Sequence, residues 1–343
     1  MVAMIAATTW AGLLGQLGRI FHGVILPVLL IAAIGFAIQR LGKLDMRTLR
    51  LLNFYFVIPA IVYHSIVTSE LTINAVGLVI AFALTMLVLQ GTLAYLAGRA
   101  RGADPSLRRA MMMTTMFYNS GNFGLPVQGL AFEPSGMASA AKGYQAFVMI
   151  TQNLIGFTLG IAVVAGGRAR RLSETLRHIL RLPPLYAIAA GAVTVQLRTM
   201  LGDAHPWVDE AVAPLWEVVE KVSDAFIAVA VLTLGAQLAT IRRGATRDPL
   251  LLAVALRLLA GPAIGLGVIY GFRLVGVEIS PFVSQVLLIS TAAPTAVNTM
   301  LLCLEFDNHP DFAARVVFLS TLLSPITVTG VVFLAQGDLL PGF

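Results

Sequence analysis

Charge is scarce in this sequence: 12% of its 343 residues are Asp, Glu, Lys or Arg, about half the ~25% usual in a soluble domain. Cysteine is scarcer still. Cys303 stands alone, which excludes an intramolecular disulfide and any multi-cysteine metal site, and it reads as a small buried hydrophobe. Catalytic signatures are also missing. There is no His-Glu-x-x-His pair, no Gly-x-Ser-x-Gly elbow and no cluster of acids inside an apolar run, so a membrane enzyme is disfavoured. Without a Gly-x-x-x-x-Gly-Lys-Ser/Thr loop, ATP is not expected to drive this chain directly. No basic region precedes the first apolar stretch, because Arg19 follows it, so no cleavable signal peptide is predicted.

What the sequence has in quantity is apolar surface, with hydrophobic residues at 58%. They fall in recurring stretches of about twenty, the length needed to cross a ~30 Å hydrocarbon core as a helix. Such runs must satisfy their own backbone groups in lipid, which favours helices; barrel strands would alternate apolar and polar residues, and these do not. The spacing predicts ten spans near 21–39, 49–68, 73–97, 107–132, 138–165, 184–201, 220–240, 249–272, 281–304 and 312–335.

The net charge of +6 does not point to nucleic acid, because Lys and Arg lie between the apolar runs. One set of loops holds seventeen of them, including Arg40, Lys43, Arg47 and Arg50, and the opposite set holds Arg19, Lys142, Arg198, Lys221 and Arg273. The positive-inside rule makes the richer side cytoplasmic. Both termini are then predicted outside, in a multi-pass protein of the plasma or inner membrane. Residues 1–20 read as an N-terminal extension. The acidic stretch Asp203–Glu220, with Trp207 and Trp216, suits an interfacial segment leading into span seven.

The basic linker 166–183 divides the spans five and five, into repeats at 21–165 and 184–343. An odd number of spans per repeat turns the second upside down, an arrangement used by secondary transporters. A shift of 173 residues lays Asn119–Pro126 over Ala292–Thr299, and Ala140–Lys142 over Ala313–Arg315. Two spans are interrupted at these places. Span four carries Asn119-Ser-Gly-Asn-Phe-Gly-Leu-Pro126, and span nine carries Thr291-Ala-Ala-Pro-Thr-Ala-Val-Asn298. Proline removes an amide donor and glycine permits non-helical angles, so span four should open between about Asn119 and Pro126. Open backbone at bilayer depth is tolerated only beside protein or a watery cavity. The second half-helix of each span would then aim a partly positive N-terminus at mid-membrane, suited to an anion.

These segments resemble the auxin efflux carrier family, whose bacterial members include malonate and other organic-acid permeases. The resemblance covers most of the chain: Pro27–Gly35, Leu52-Asn-Phe-Tyr-Phe-Val-Ile-Pro59, Asn119–Val127, Leu234-Gly-Ala-Gln-Leu238, Arg257-Leu-Leu-Ala-Gly-Pro262 and Pro294–Asn298. It implies an all-α membrane protein of ten helices in two inverted five-helix repeats, with spans four and nine broken and crossing at mid-membrane, related to bile acid–sodium symporters. Spans three to five and eight to ten would form a transport domain. Spans one, two, six and seven would form a scaffold, which in relatives supports a homodimer. The expected activity is elevator-type carriage of a small organic anion, with a channel or solute sensor on the same helices as the alternative. Substrate roles carry over to Asn119, Asn122, Pro126, Pro294 and Asn298. No cofactor is implied, and proton or sodium coupling stays open. Two departures stand out. Ala228 replaces a frequent family proline, which predicts a straighter span seven, and the span-nine crossing lacks the glutamate of bile acid symporters.

Polar residues elsewhere add to the picture. Gln152 and Asn153 in span five either line the cavity or bond between helices. His64 reads as a packing residue, Asp224 as a partner of Lys221, and Arg257 as a side chain that snorkels to the cytoplasm or draws anions inward.

Overall fold

The computed structural model describes residues 10–68, 71–166, 183–201, 206–241, 249–337 and 339–343. Residues 1–9 of the N-terminal extension and almost all of the basic linker lie outside the described residues, so the expectations placed on them do too. Among the described residues the chain is helical, with a single isolated bridge as its only β-type pairing. The helices are α1 (residues 10–42), α2 (Met46–Val67), α3 (Ile73–Ala100), α4 (Pro105–Met116), α5 (Leu125–Phe132), α6 (Ala138–Val164), α7 (Pro183–Leu201), α8 (Pro206–Asp224), α9 (Phe226–Thr240), α10 (Leu250–Leu274), α11 (Pro281–Thr291), α12 (Val297–Glu305) and α13 (Pro310–Gln336). Each of the ten predicted spans coincides with a helix or a helix pair. Spans four and nine are pairs of short helices, α4 with α5 and α11 with α12.

The helix starts follow from local chemistry. Asp104 caps α4 by accepting from Ser106 N at 2.8 Å and Leu107 N at 3.0 Å, and Pro105 follows it. Ser280 caps α11 by accepting from Val283 N at 3.3 Å, and Pro281 follows it. A capping oxygen satisfies an orphan amide, and proline in the first turn loses no bond there. The amides of Leu107 and Ser106 also hold the Asp104 carboxyl below the usual carboxylate range.

Among the described residues, six helices are long and apolar enough to cross a membrane: residues 14–42, α2, α3, α6, α10 and α13. The pair Ala213–Asp224 and Phe226–Thr240, bent by 43°, adds a seventh if it is one span. Their outer faces expose Leu30, Ile34, Val88, Leu96, Leu251, Leu259, Leu322 and Ile326. Apolar surface on this scale marks contact with lipid or a partner. The interior is packed where small residues admit close approach. A Cβ on Gly35 of α1 would strike the Leu232 carbonyl of α9, and one on Gly235 would strike the Ala32 carbonyl. The two backbones therefore touch. In a bilayer, where both helices and lipid are apolar, such contact replaces the hydrophobic drive.

Three expectations are corrected here. Span seven is not straightened by Ala228, since the chain bends three residues earlier, at Ala225. Lys221 pairs with Glu217 at 3.0 Å, one helical turn away, instead of with Asp224. The N-terminal extension is helical from Trp10 and runs directly into the first span. His64 stacks on Trp216, with ring centroids 5.3 Å apart, as a packing residue would.

Candidate functional site

An opened helix leaves amides and carbonyls that must find partners. Here the two openings satisfy each other. After Met116 the chain runs extended through Phe117–Asn119, and after Thr291 it runs through Ala292–Ala296. The Asn119 amide donates to the Pro294 carbonyl at 2.7 Å, and the Ala296 amide donates to the Phe117 carbonyl at 3.0 Å. Tyr118 and Thr295 thus form an antiparallel bridge. Side chains complete the pairing. Tyr118 N donates to Gln152 Oε1 at 3.2 Å, Thr295 N to Ser320 Oγ at 3.1 Å, and Thr295 Oγ1 to the Thr114 carbonyl at 2.8 Å.

Span four opens earlier than its composition predicts. Ser120–Gly124 is wound as a wide π-type turn leading straight into α5, and Pro126 occupies the first turn of α5. Pro126 thus lies past the opening, more than a turn into the second half-helix, so it does not cause the break. Gly121 and Gly124 serve close approach: a Cβ on Gly124 would lie 2.5 Å from Gln145 Nε2, and one on Gly121 3.1 Å from the Met149 sulfur.

A cavity of about 350 Å³ opens beside the crossing, at the lower end of the ~300–1,000 Å³ range of small-molecule sites. It brings together four of the predicted residues, Asn119, Asn122, Asn153 and Asn298. The first turn after each break faces it, through Ser120, Gly121 and Asn122 on one side and Ala296, Val297 and Asn298 on the other. α12 begins here with no side-chain cap. Gln152 lines a smaller adjoining chamber of about 40 Å³ with Tyr118, Asn153 and Asn298. Pro126 and Pro294 line neither; Pro294 supports the site through its carbonyl. Opposite the crossing, α2 and α9 contribute Asn53, Phe54, Tyr55, Ile58, Thr233 and Gln237. Among the lining residues Arg47 is charged, and no carboxylate joins it.

Sequence reasoning passed over Tyr118, Asn53 and Gln237. Asn53 Nδ2 donates to Asn122 Oδ1 at 2.8 Å, tying α2 to the crossing. Asn53 Oδ1 and Gln237 Oε1 are buried without partners. An amide side chain inside an apolar run was the available signal for both. Arg257 is corrected as well: it does not snorkel, but lies fully buried behind the bridge.

A crossing of two broken helices, beside a polar cavity inside a bundle of apolar helices, suits a membrane transporter. Comparison with known proteins agrees. Residues 168–332 match the family model described as "Membrane transport protein". The chain is also 25% identical to an "Uncharacterized transporter" of Methanothermobacter thermautotrophicus (strain Delta H), over 311 residues that span 89% of this chain and 95% of the relative. Both matches are to transporters and not to enzymes. They agree with the resemblance to membrane transporters read from the sequence.

Proposed function

We propose that this chain is a secondary carrier of a small organic anion, with the cavity at the crossing as its substrate site. One observation carries the reading: both breaks pair with each other, and both second half-helices begin on the same cavity. Their N-terminal turns offer donors and a partial positive charge. Asn119, Asn122, Asn153 and Asn298 supply further donors from three segments. Arg47 adds a full positive charge with no lining carboxylate to cancel it. Pro294 holds the bridge, Pro126 lies past the first turn of the second half-helix, and Gln152 positions Tyr118.

The packing supports ten crossings in two inverted repeats. α1 packs on α9 and α7 packs on α2, the reciprocal pairs expected if spans one and two of one repeat match spans six and seven of the other. The caps Asp104–Pro105 and Ser280–Pro281 open the two broken spans alike. In the elevator reading, α3–α6 and α10–α13 carry the crossing past a scaffold of α1, α2 and α7–α9. The Asn53–Asn122 bond spans that boundary and breaks as the site moves. Arg47 stands in the first turn of α2, at the basic end of the helix, so the cavity opens on the cytoplasmic side, with both termini and the Asp203–Glu220 stretch outside. Two copies associate through the scaffold, where α7 exposes Val193, Leu197 and Met200.

The test is uptake into proteoliposomes of radiolabelled dicarboxylates and aromatic acids, with pH and sodium gradients varied independently. A carrier gives saturable uptake and counterflow, and conduction without exchange would replace this reading with a channel. Labelling of a cysteine placed at Ser173 from outside intact cells would reverse the orientation.

A further inference from the structure

The two second half-helices aim their N-termini at the cavity, which leaves the C-termini of the two first half-helices, α4 and α11, facing each other behind it. Each carries carbonyls with no partner inside its own helix and a partial negative charge, and nothing in hydrocarbon would screen them. Arg257 of α10 lies between them, fully buried. Its Nη1 donates to the Thr115 carbonyl near the end of α4 at 3.0 Å and to Gln90 Oε1 of α3. Its Nη2 donates to the carbonyl of Thr291, the last residue of α11. Its guanidinium carbon stands 4.7 Å over the ring of Tyr118, the bridge residue that lines the cavity. Gly261 leaves the space this needs, since a Cβ there would come within 2.5 Å of Nη2. These partners are carbonyls, an amide and a ring face; no carboxylate is among them. A buried cation without a counter-ion is costly, so its stabilisation must come from the helix ends it joins.

We propose that Arg257 is a positioning residue for the crossing: a resident cation that clamps the negative ends of both broken helices into one unit. Two consequences follow. The binding site is assembled without an added metal cation, because the guanidinium fills the place where one would sit. The carbonyl ends are also masked, so that the cavity is dominated by the two positive N-termini and favours anions. The second consequence rests on the carrier reading above; the clamp does not. Only a planar fork reaches both helix ends and Gln90 together.

The test uses the full chain in nanodiscs. Arg257→Ala should lower the thermal unfolding midpoint, and low-millimolar guanidinium or methylguanidinium should raise it again, whereas sodium at equal ionic strength should not. The wild type should show no such rise. Arg257→Lys, which keeps the charge but not the fork, should fall between. In proteoliposomes Arg257→Ala should lose about tenfold or more of its uptake, with part restored by guanidinium. Arg257→Ala with wild-type stability overturns the clamp. So does a loss shared equally by Arg257→Lys and unmoved by guanidinium, because only shape would then be at stake. If Arg257→Ala does not insert, the Lys variant decides: an intermediate midpoint supports the clamp, and failure to fold overturns it. The thermal shift needs no substrate, so failure of the carrier reading would appear separately, as absent uptake with the guanidinium response intact.

Discussion

At the first break the chain leaves its helix at Phe117, beside two asparagines and two glycines; at the second it leaves at Ala292, among alanines, with Pro294 in the middle. The first is secured by amide side chains of α6, with Gln152 accepting from Tyr118 N and Gln145 Nε2 donating to the Ser120 carbonyl at 3.0 Å. The second is secured by hydroxyls, with Ser320 accepting from Thr295 N and Thr295 Oγ1 reaching the Thr114 carbonyl. The first break presents Asn119 and Asn122 to the cavity, and the second presents Asn298. Two segments of different composition therefore open into one geometry. What they share is not glycine or proline at a given place but each other, because the backbone groups freed by one are the partners needed by the other.

Five substitutions sharpen or break this comparison. The largest effect is expected from Asn298→Ala, which removes a cavity amide of the second break without touching the bridge. Uptake should fall by roughly tenfold or more, the scale of losing a hydrogen bond to a charged group, while the folded, inserted protein is retained. Wild-type uptake would remove Asn298 from the site. Next comes Gln145→Leu, which strips the first break of its bond to Ser120 and leaves Gln128 short of a partner. The Ser120 carbonyl keeps the Leu125 amide and Gln128 keeps the Val286 carbonyl, so the cost is that of two net hydrogen bonds, about 1–3 kcal/mol in all, to be read as a lowered unfolding midpoint in nanodiscs. Ser320→Ala should cost the second break about 1 kcal/mol for the lost acceptor of Thr295 N. A larger loss than from Gln145→Leu would make the hydroxyl side the stronger anchor. The smallest effect is expected from Pro126→Ala, under about 1 kcal/mol, because Pro126 lies past the opening, after a wide π-type turn that already accommodates it. Pro294→Ala, by contrast, relaxes the segment that carries the bridging carbonyl and should impair uptake more. Equal effects from the two prolines would restore Pro126 as a cause of the first break.

Much of this was legible in the sequence, for reasons that differ from place to place. Apolar runs of the right length located the helices because lipid admits only self-satisfied backbone. The polar clusters at Asn119–Asn122 and Pro294–Asn298 located the interruptions, and all three of their asparagines reach the cavity. The point of opening was less legible. Glycine and proline suggested Asn119–Pro126, whereas pairing with the other break moved it to Phe117–Asn119. The bridge partner was not legible either. A shift of 173 residues sets Tyr118 over Thr291, but its bridge partner is Thr295. Asn53 and Gln237 were individually visible as amides in apolar runs, yet nothing in their own neighbourhoods showed that they face the crossing.

The sequence alone determined that this chain crosses membranes as helices, which of its segments are polar and interrupted, and the distribution of charge between its loops, since each depends on residues close together along the chain. Only the tertiary structure decided where the helices open, which asparagines share a cavity, and that Arg257 lies between two helix ends rather than at a surface. Those outcomes depend on groups far apart in sequence meeting in a medium with no water to satisfy them, and a local reading has no access to the partner.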